Sequence, residues 1–500
     1  MESLSLYLYL PTVLFIIAAL YLFSQKSKNL PPSPFPALPM IGHFYLLKKP
    51  LHKTLSSFSK KYGPVFYFLY GSRRVLVVSS SAAAEECLTK NDIVFANRPN
   101  LIFGKYIGNN FTSIVWVGYG DYWRNLRKLC SQEILSSHRL QKLSSIRIEE
   151  AKSMVKNVFK LSDGGLNAVE MRPVFFALLF NVLTRMIAGK RYYGEESGKS
   201  EEAKRFQDIM METARLASVA DMGNFTSVLN WFWFRDLENQ FVKLSKRRDE
   251  FMQNLIDEVR GSGTKGENKT LIQVLLDLNE AKPDYYKDDV IKSLMQTLLQ
   301  AGVSTSVDSL EWAMSLLLNN PDVLHKAQNE IDNVVGKDGL ITESHLPELP
   351  YLRYIINETL RMYPVARFLI PHESSDECTI GGFHVPRGTM LLVDVKAIQN
   401  DPKIWGDPEI FRPERFQEGN NVGLGFMPFG SGRRKCPGEG LATRVVVLAL
   451  GALIQCFNWD RIGEEMVDMT EGHGLFAPKV VTLRAKCRAR PSMVSLLSEI

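Results

Sequence analysis

What this 500-residue chain is short of narrows it before anything it contains. Cysteine is sparse: Cys87, Cys130, Cys378, Cys436, Cys456 and Cys487 are scattered, with no CxxC and no close pairs, so reduced, cytosol-facing thiols are expected rather than a disulfide framework. There is no internal repeat and no long low-complexity linker, which favours one large catalytic part over a string of domains. No glycine-rich dinucleotide fingerprint is evident, so electrons for any redox reaction must come from a partner. Neither sign of charge dominates: 60 Lys and Arg against 54 Asp and Glu leave +6 at pH 7. No Lys/Arg block concentrates that charge, which excludes a nucleic-acid binder. A mildly basic surface suits an acidic partner or an anionic membrane.

Charge is missing altogether from Ser3 to Phe23. At about 1.5 Å per residue this run covers roughly the 30 Å of a bilayer core. Glu2 precedes it and Lys26 and Lys28 follow, an arrangement that leaves the N-terminus in the lumen and the bulk of the chain in the cytosol. A cleaved signal peptide competes, but the run is long and lacks a small-x-small cleavage site. From Leu30 to Pro39 proline density blocks a helix and favours stiff extended chain. The expected organisation is an anchor over 1–24, a Pro-rich hinge over 25–43 and a cytosolic catalytic domain over 44–500. The sequons at Asn110, Asn224, Asn268 and Asn357 are then accidental, because that compartment does not glycosylate them.

Tyr67 to Tyr70 and Val75 to Val78 flank Gly71-Ser72 and predict a hairpin. Helical patterns dominate beyond it: Ser81 to Leu88, Tyr122 to Leu129, Ile146 to Lys160, Ala203 to Ser218, Leu237 to Val259, a long one from Asp288 to Leu318, Asp322 to Val335 and Tyr351 to Met362. A helix break is expected at Gly223 to Thr226, just before four aromatics, Trp231 to Phe234, that either line a membrane-facing lip or pack on neighbouring helices. Gly261 to Gly266 reads as a surface loop. Strand-like stretches are expected around Thr379 to Phe383, Thr389 to Val393 and Val480 to Leu483.

Near the C-terminus the chain reads Phe429-Gly-Ser-Gly432-Arg-Arg434-Lys-Cys436-Pro437-Gly438. Pro437 suits a first helical position, and Leu441, Val445, Leu448, Ala449 and Leu453 follow at helical spacing, which places Cys436 at or near an N-cap. The helix dipole, orphan N–H groups and the nearby Arg433, Arg434 and Lys435 should favour a thiolate. Gly430, Gly432 and Gly438 leave room for something flat to approach the backbone. An ordinary buried thiol is the default for a lone cysteine.

The ten-residue string resembles the haem-binding signature Phe-x-x-Gly-x-Arg-x-Cys-x-Gly of the cytochrome P-450 superfamily. That resemblance implies a mainly α fold, a helical haem-binding domain with small β-sheets, behind a single N-terminal transmembrane helix in the endoplasmic reticulum membrane. It implies haem b, iron protoporphyrin IX, held by Cys436 as axial thiolate, with Phe429 packed beside the sulfur, Gly432 and Gly438 in the loop, and Arg434 on a haem propionate. Thiolate ligation favours O–O cleavage. NADPH-derived electrons would arrive from NADPH-cytochrome P-450 reductase, with cytochrome b5 as an optional second partner, and O2 would be the oxidant.

Other motifs fit the same family in order along the chain. Glu358-Thr-Leu-Arg361 puts an acid and a base at i, i+3, where a solvated surface pair is the bland expectation. The resemblance instead implies a buried three-way network with Arg415 from Pro413-Glu-Arg415-Phe416. Trp123 and Arg127 match the family's Trp-x-x-x-Arg, and His372 occupies another family position that meets a propionate. On the long helix Ala301-Gly302-Val303-Ser304-Thr305-Ser306 resembles the oxygen-binding segment, in which an acid and a threonine deliver protons. Here Ser304 stands where the acid belongs. A hydroxyl relays a proton but is a poor source of one, so either another acid serves or the oxygen chemistry is altered.

Tyr119 to Asn125, Pro371 to Gly382 and Val467 to Gly472 resemble plant microsomal enzymes of the group holding isoflavone 2′-hydroxylases, sesamin-forming enzymes and indole-glucosinolate hydroxylases. The implied activity is hydroxylation of an aromatic or otherwise apolar specialised metabolite. Ring closure, phenol coupling or a catalytically weakened haem protein are the alternatives. Substrate walls implied by the resemblance are Ile114, Trp116, Ala301, Thr305, Ala366, Arg367, Phe368, Leu369, Ile370, Leu475 and Phe476. Arg367 departs from the usual proline. If it faces the pocket, a phenolate or carboxylate is its natural partner; otherwise it turns to a propionate or to the surface.

Overall fold

The computed structural model describes residues 29–499 except 49, 195–200, 224–230, 263–268, 338, 418–421, 473–475 and 477; the side chains of 214, 217–223, 231–234 and 262 are also outside the described set. The proposed anchor, the first residues of the hinge, Leu475 and the side chains of Trp231 to Phe234 therefore lie outside the described residues.

The chain divides into two units, Met1–Pro99 with Pro371–Asp394, and Asn100–Ile370 with Val395–Ile500. In the first, β1 (Val65–Tyr70) and β2 (Arg73–Val78) form the expected antiparallel hairpin. β3 (His372–Glu373) and β4 (Met390–Val393) complete a sheet of order β1-β2-β4-β3, with β4 parallel to β2 and antiparallel to β3. The stretch expected around Thr379 is itself a small hairpin, Cys378–Ile380 against Phe383–Val385, which reverses at Gly381 and Gly382.

The second unit is mainly helical. The helices that position the site are α1 (Asp121–Leu129), α2 (Met171–Ala188), α3 (Trp231–Ser262), α4 (Asp288–Asn319), α5 (Pro350–Met362) and α6 (Glu439–Cys456). α4 runs through the middle and packs against α2, α3, α5 and α6. Gly302 faces α2, where an added Cβ would fall 2.7 Å from Leu183 Cδ1 and that leucine would have to shift. α2 and α6 are long and apolar enough to span a membrane, yet their most apolar windows are 67% and 72% buried inside the protein, as core helices are. α2 has no predicted counterpart because a helix apolar on every face shows no amphipathic period.

α3, described from Trp231 to Ser262, contains the expected Leu237 to Val259 and also includes the four aromatics. The break expected at Gly223 to Thr226 lies, from 224 on, outside the described residues, as does the loop expected at Gly261 to Gly266 from 263 on, while Gly261 and Ser262 are helical. One expectation fails. Val480 to Leu483 is not a strand: Val480 and Val481 are 57% and 52% exposed. The strand is Arg484–Ala489, central in a three-stranded antiparallel sheet between Ala168–Glu170 and Phe457–Asp460. Its sequence RAKCRA alternates exposed cations with buried Ala485 and Cys487, a period-2 pattern that carries little hydrophobicity.

Candidate active site

Gly438 is the N-cap of α6, so Cys436 sits two residues outside the cap and Pro437 one residue outside, not at the first helical position. The cysteine thus belongs to the loop. Its N–H donates to Phe429 O at 2.9 Å and that of Lys435 to Gly432 O at 3.0 Å, closing a tight turn in which Gly430 and Gly432 take φ of +72° and +69°. Side chains are strained in that region, so the two glycines are conformational requirements.

The expected pull toward thiolate is corrected by the surroundings. Cys436 is exposed on one side yet deep enough that burial, the largest influence, raises its thiol pKa above the usual value. The Gly438 and Glu439 N–H groups and the Arg127 charge pull the other way, while the Glu439 carboxylate adds to the rise. Lys435 is turned away onto Glu439 at 2.7 Å. Burial thus opposes ionisation of this sulfur, and a bound cation would favour the thiolate.

α1 is clamped to the loop. Arg127 Nη1 donates to Lys435 O at 2.6 Å, and Arg434 donates to Ile114 O at 3.1 Å and Val117 O at 2.6 Å. The Arg434 guanidinium lies 4.7 Å from the Trp123 ring centroid, and Trp123 Nε1 donates to Ile114 O at 3.2 Å. Trp123, Arg127, Arg434 and the backbone of Ile114 are therefore brought together against the cysteine loop. Burial pushes Arg434 down to about 10, with the neighbouring Arg127 charge adding to the effect. Two guanidiniums held so close suit an anionic group. His372 belongs to the first unit, where it is 4% exposed and its Nδ1–H donates to Phe95 O at 2.7 Å.

Along α4, Ala301 and Ser304 are exposed although Leu299, Val303 and Ser306 are buried. Small side chains on an open stretch of a core helix leave room for a flat group and a small ligand. Thr305 Oγ1 donates back to Ala301 O at 2.6 Å. One turn beyond Ser304, Asp308 is buried against Arg172 at 2.8 Å; burial outweighs the guanidinium and lifts its carboxyl to about 6.

Of the remaining wall candidates, Ile114, Trp116, Phe368 and Leu369 are buried, and Trp116 packs on Phe103 with ring centroids 5.7 Å apart. A Cβ on Gly430 would lie 3.6 Å from Leu369 Cδ2, so the segment from Ala366 to Ile370 runs beside the cysteine loop. Ala366 bridges to Phe476, which is 40% exposed. Arg367 does not need an acidic substrate: its Nη1 meets Glu471 at 2.5 Å, and Lys396 meets the same carboxylate at 2.5 Å. Burial tends to raise that carboxyl, but the charges of Lys396 and Arg367 hold it below the usual value.

Glu358 and Arg361 are fully buried rather than a solvated pair, joined at 2.7 and 2.9 Å, and Arg415 Nε reaches Glu358 Oε1 at 3.0 Å. Arg361 also donates to Gln399 O at 3.0 Å and Pro408 O at 2.7 Å. Gln399 Oε1 in turn accepts from Met427 N–H at 2.9 Å, at the entry to the cysteine loop. Sequence reasoning missed Gln399; a lone glutamine carries no periodic or motif signal.

The cytochrome P-450 family model matches residues 31–484. A Catharanthus roseus protein named cytochrome P-450 81Q32 is 49% identical, covering 100% of this chain and 99% of that protein. A Medicago truncatula isoflavone 3′-hydroxylase is 45% identical over 94% of each chain. Among solved structures, a zebra fish cytochrome P-450 with progesterone superposes with a TM-score of 0.77 at 27% identity, over 89% of this chain and 100% of that one.

Proposed function

Since the chain belongs to the cytochrome P-450 family, we propose that it hydroxylates an aromatic or otherwise apolar plant specialised metabolite, with Cys436 as the ligand of the family's haem iron. The family is made up of haem-thiolate monooxygenases that use O2 and NADPH-derived electrons delivered by a separate reductase. The observation that carries the residue assignment is the clamp between α1 and the cysteine loop, which gathers a sulfur donor, two guanidiniums and an indole at one place. A thiolate and paired cations are the donor set for a porphyrin iron and its carboxylates.

Haem supplies activation of O2 and oxidation of a C–H bond, and thiolate ligation favours O–O cleavage. The chain's part is positioning and proton supply. Arg127, Arg434 and Trp123 would hold the carboxylate groups, while Phe429, Gly432 and Gly438 shape the loop around the sulfur; His372, in the first unit, is assigned a carboxylate only from its place in the sequence. Ala301 keeps the α4 face low. The Thr305 hydroxyl, turned from Ala301 O, would pass a proton toward the oxygen, with Ser304, the preceding residue of α4, as a second relay. Ile114, Trp116, Ala366, Phe368, Leu369, Ile370 and Phe476 supply apolar contact to substrate, and Leu475 is assigned the same role from its place in the sequence. Glu358, Arg361 and Arg415 hold the frame. An anchor over 1–24 and the hinge over 25–43 would keep the enzyme on the cytosolic face of the endoplasmic reticulum, where cytochrome b5 is a candidate second electron donor.

An isoflavone hydroxylase among the relatives makes isoflavones the first substrates to try. Microsomes holding the chain and a plant reductase should convert an isoflavone to a product heavier by one oxygen that carries label from ¹⁸O2. A product without label contradicts hydroxylation.

Ser304 makes a second prediction. Restoring an acid with Ser304→Asp should raise product formed per NADPH consumed by up to about tenfold, a modest share of what a positioned general acid contributes. An unchanged ratio shows that proton supply does not depend on residue 304.

A further inference from the structure

α3 carries Arg248 into the interior of the second unit, where it is 4% exposed. Its contacts among the described residues are two neutral oxygens at long range, Ile107 O at 3.4 Å and Gln300 Oε1 at 3.5 Å. No carboxylate among the described residues forms an ion pair with it. The comparably buried Arg147, Arg361 and Lys292 each face one, Glu343, Glu358 and Asp249 respectively. Desolvation pushes the Arg248 guanidinium down to about 10. A buried cation without an anion is costly, and chains keep one where an anion arrives to complete it.

Its neighbours say where that anion would come from. Gln300 immediately precedes Ala301 and stands one turn before Ser304, on the stretch of α4 that opens beside the proposed oxygen site. One turn the other way, Gln296 is 5% exposed and its Oε1 has no hydrogen-bond partner among the described residues. Ile107 lies in the segment that leads to Ile114 and Trp116. The Arg248 guanidinium meets the Gln300 amide, Gln296 lies one turn along α4 on the same side, and buried apolar residues such as Met295, Leu299, Phe251 and Met252 flank them on the two helices, the pattern of a site that fixes one end of an apolar ligand.

We propose that Arg248, assisted by Gln296 and Gln300, binds an anionic oxygen on the aromatic substrate, a carboxylate or a phenolate, and so sets which end of the molecule is turned toward Ala301 and Thr305. The proposal rests on the monooxygenase reading above and assigns its substrate class. Arginine's planar fork suits a carboxylate bidentately and a phenolate through one N–H.

The test uses the haem-loaded full chain and two matched probe pairs, 4-phenylbenzoate with its methyl ester and 4-phenylphenol with 4-methoxybiphenyl, titrated by calorimetry. At least one acid should bind about thirtyfold or more tightly than its neutral partner, the loss expected when one side of a buried charge pair is removed. Whichever pair shows the preference identifies the anion. Arg248→Met should erase the preference while leaving the neutral probe's affinity within about twofold, and Arg248→Lys should keep part of it. Because Arg248→Met removes a buried cation, its unfolding midpoint should be unchanged or higher; a purely structural arginine would lower the midpoint and leave the preference in place. Equal binding within both pairs, or a preference that survives in Arg248→Met, overturns the proposal. If Arg248→Met does not fold, the wild-type comparison and Arg248→Lys still decide. Absence of the thiolate-type haem spectrum would defeat the parent assignment instead, whereas an intact spectrum without acid preference defeats this one alone.

Discussion

Replacing Cys436 by serine is expected to cut product formation with NADPH and reductase by more than about a thousandfold, equivalent to roughly 4 kcal/mol or more of lost transition-state stabilisation. The hydroxyl is a harder, more weakly donating ligand than sulfur, and the electron push that favours O–O cleavage goes with the thiolate. Folding should hardly change. The side chain is open on one side, and the bond that closes the loop comes from the residue's own backbone N–H to Phe429 O, which serine retains. An unfolding midpoint near wild type together with lost turnover is the expected pair of results. A Cys436→Ser variant that keeps a tenth or more of the activity would show that another residue holds the iron.

The second large effect is on stability. Glu358→Ala would leave Arg361 and Arg415 buried around a missing carboxylate, each still donating to backbone carbonyls but with no charge to answer their own. Breaking a buried pair in this way costs about 3–5 kcal/mol, against a total stability of roughly 5–15 kcal/mol for a folded domain. The damage should also travel, because Arg361 holds the carbonyl of Gln399 and Gln399 holds Met427 at the mouth of the cysteine loop. Glu358→Ala should therefore yield little haem-loaded protein and a clearly lowered urea midpoint. Glu358→Gln, which keeps shape and some hydrogen bonds but loses the charge, should fall between. A midpoint for Glu358→Ala within experimental error of wild type would make the network a bystander.

Sequence patterns that repeat locally were readable. The hairpin at Gly71-Ser72 and the helices around Asp121–Leu129, Asp288–Asn319 and Pro350–Met362 appear where alternation or helical period placed them. Helix α2 and strand Arg484–Ala489 escaped for opposite reasons, the first being apolar on every face and the second hardly apolar at all. At the site, motif spacing brought Cys436, Trp123, Arg127 and Arg434 under suspicion, but spacing says nothing about where long side chains turn. Arg434 and Lys435, counted from sequence as stabilisers of a thiolate, are directed to backbone carbonyls and to Glu439, and burial of the sulfur is the largest influence on it. Arg367 stayed open between an acidic ligand, a propionate and the surface because its partner, Glu471, is 104 residues away in the chain. Arg248 gave no signal because a charged residue on a long helix reads as surface until the packing of α3 on α4 is known.

The most direct test of the whole account is the absorption spectrum of the full chain, expressed with added haem precursor, reduced and exposed to carbon monoxide. A strongly red-shifted Soret band is predicted, and it should vanish in Cys436→Ser. A colourless wild-type protein, or a reduced carbon monoxide complex with an unshifted band, would contradict thiolate ligation and the function built on it.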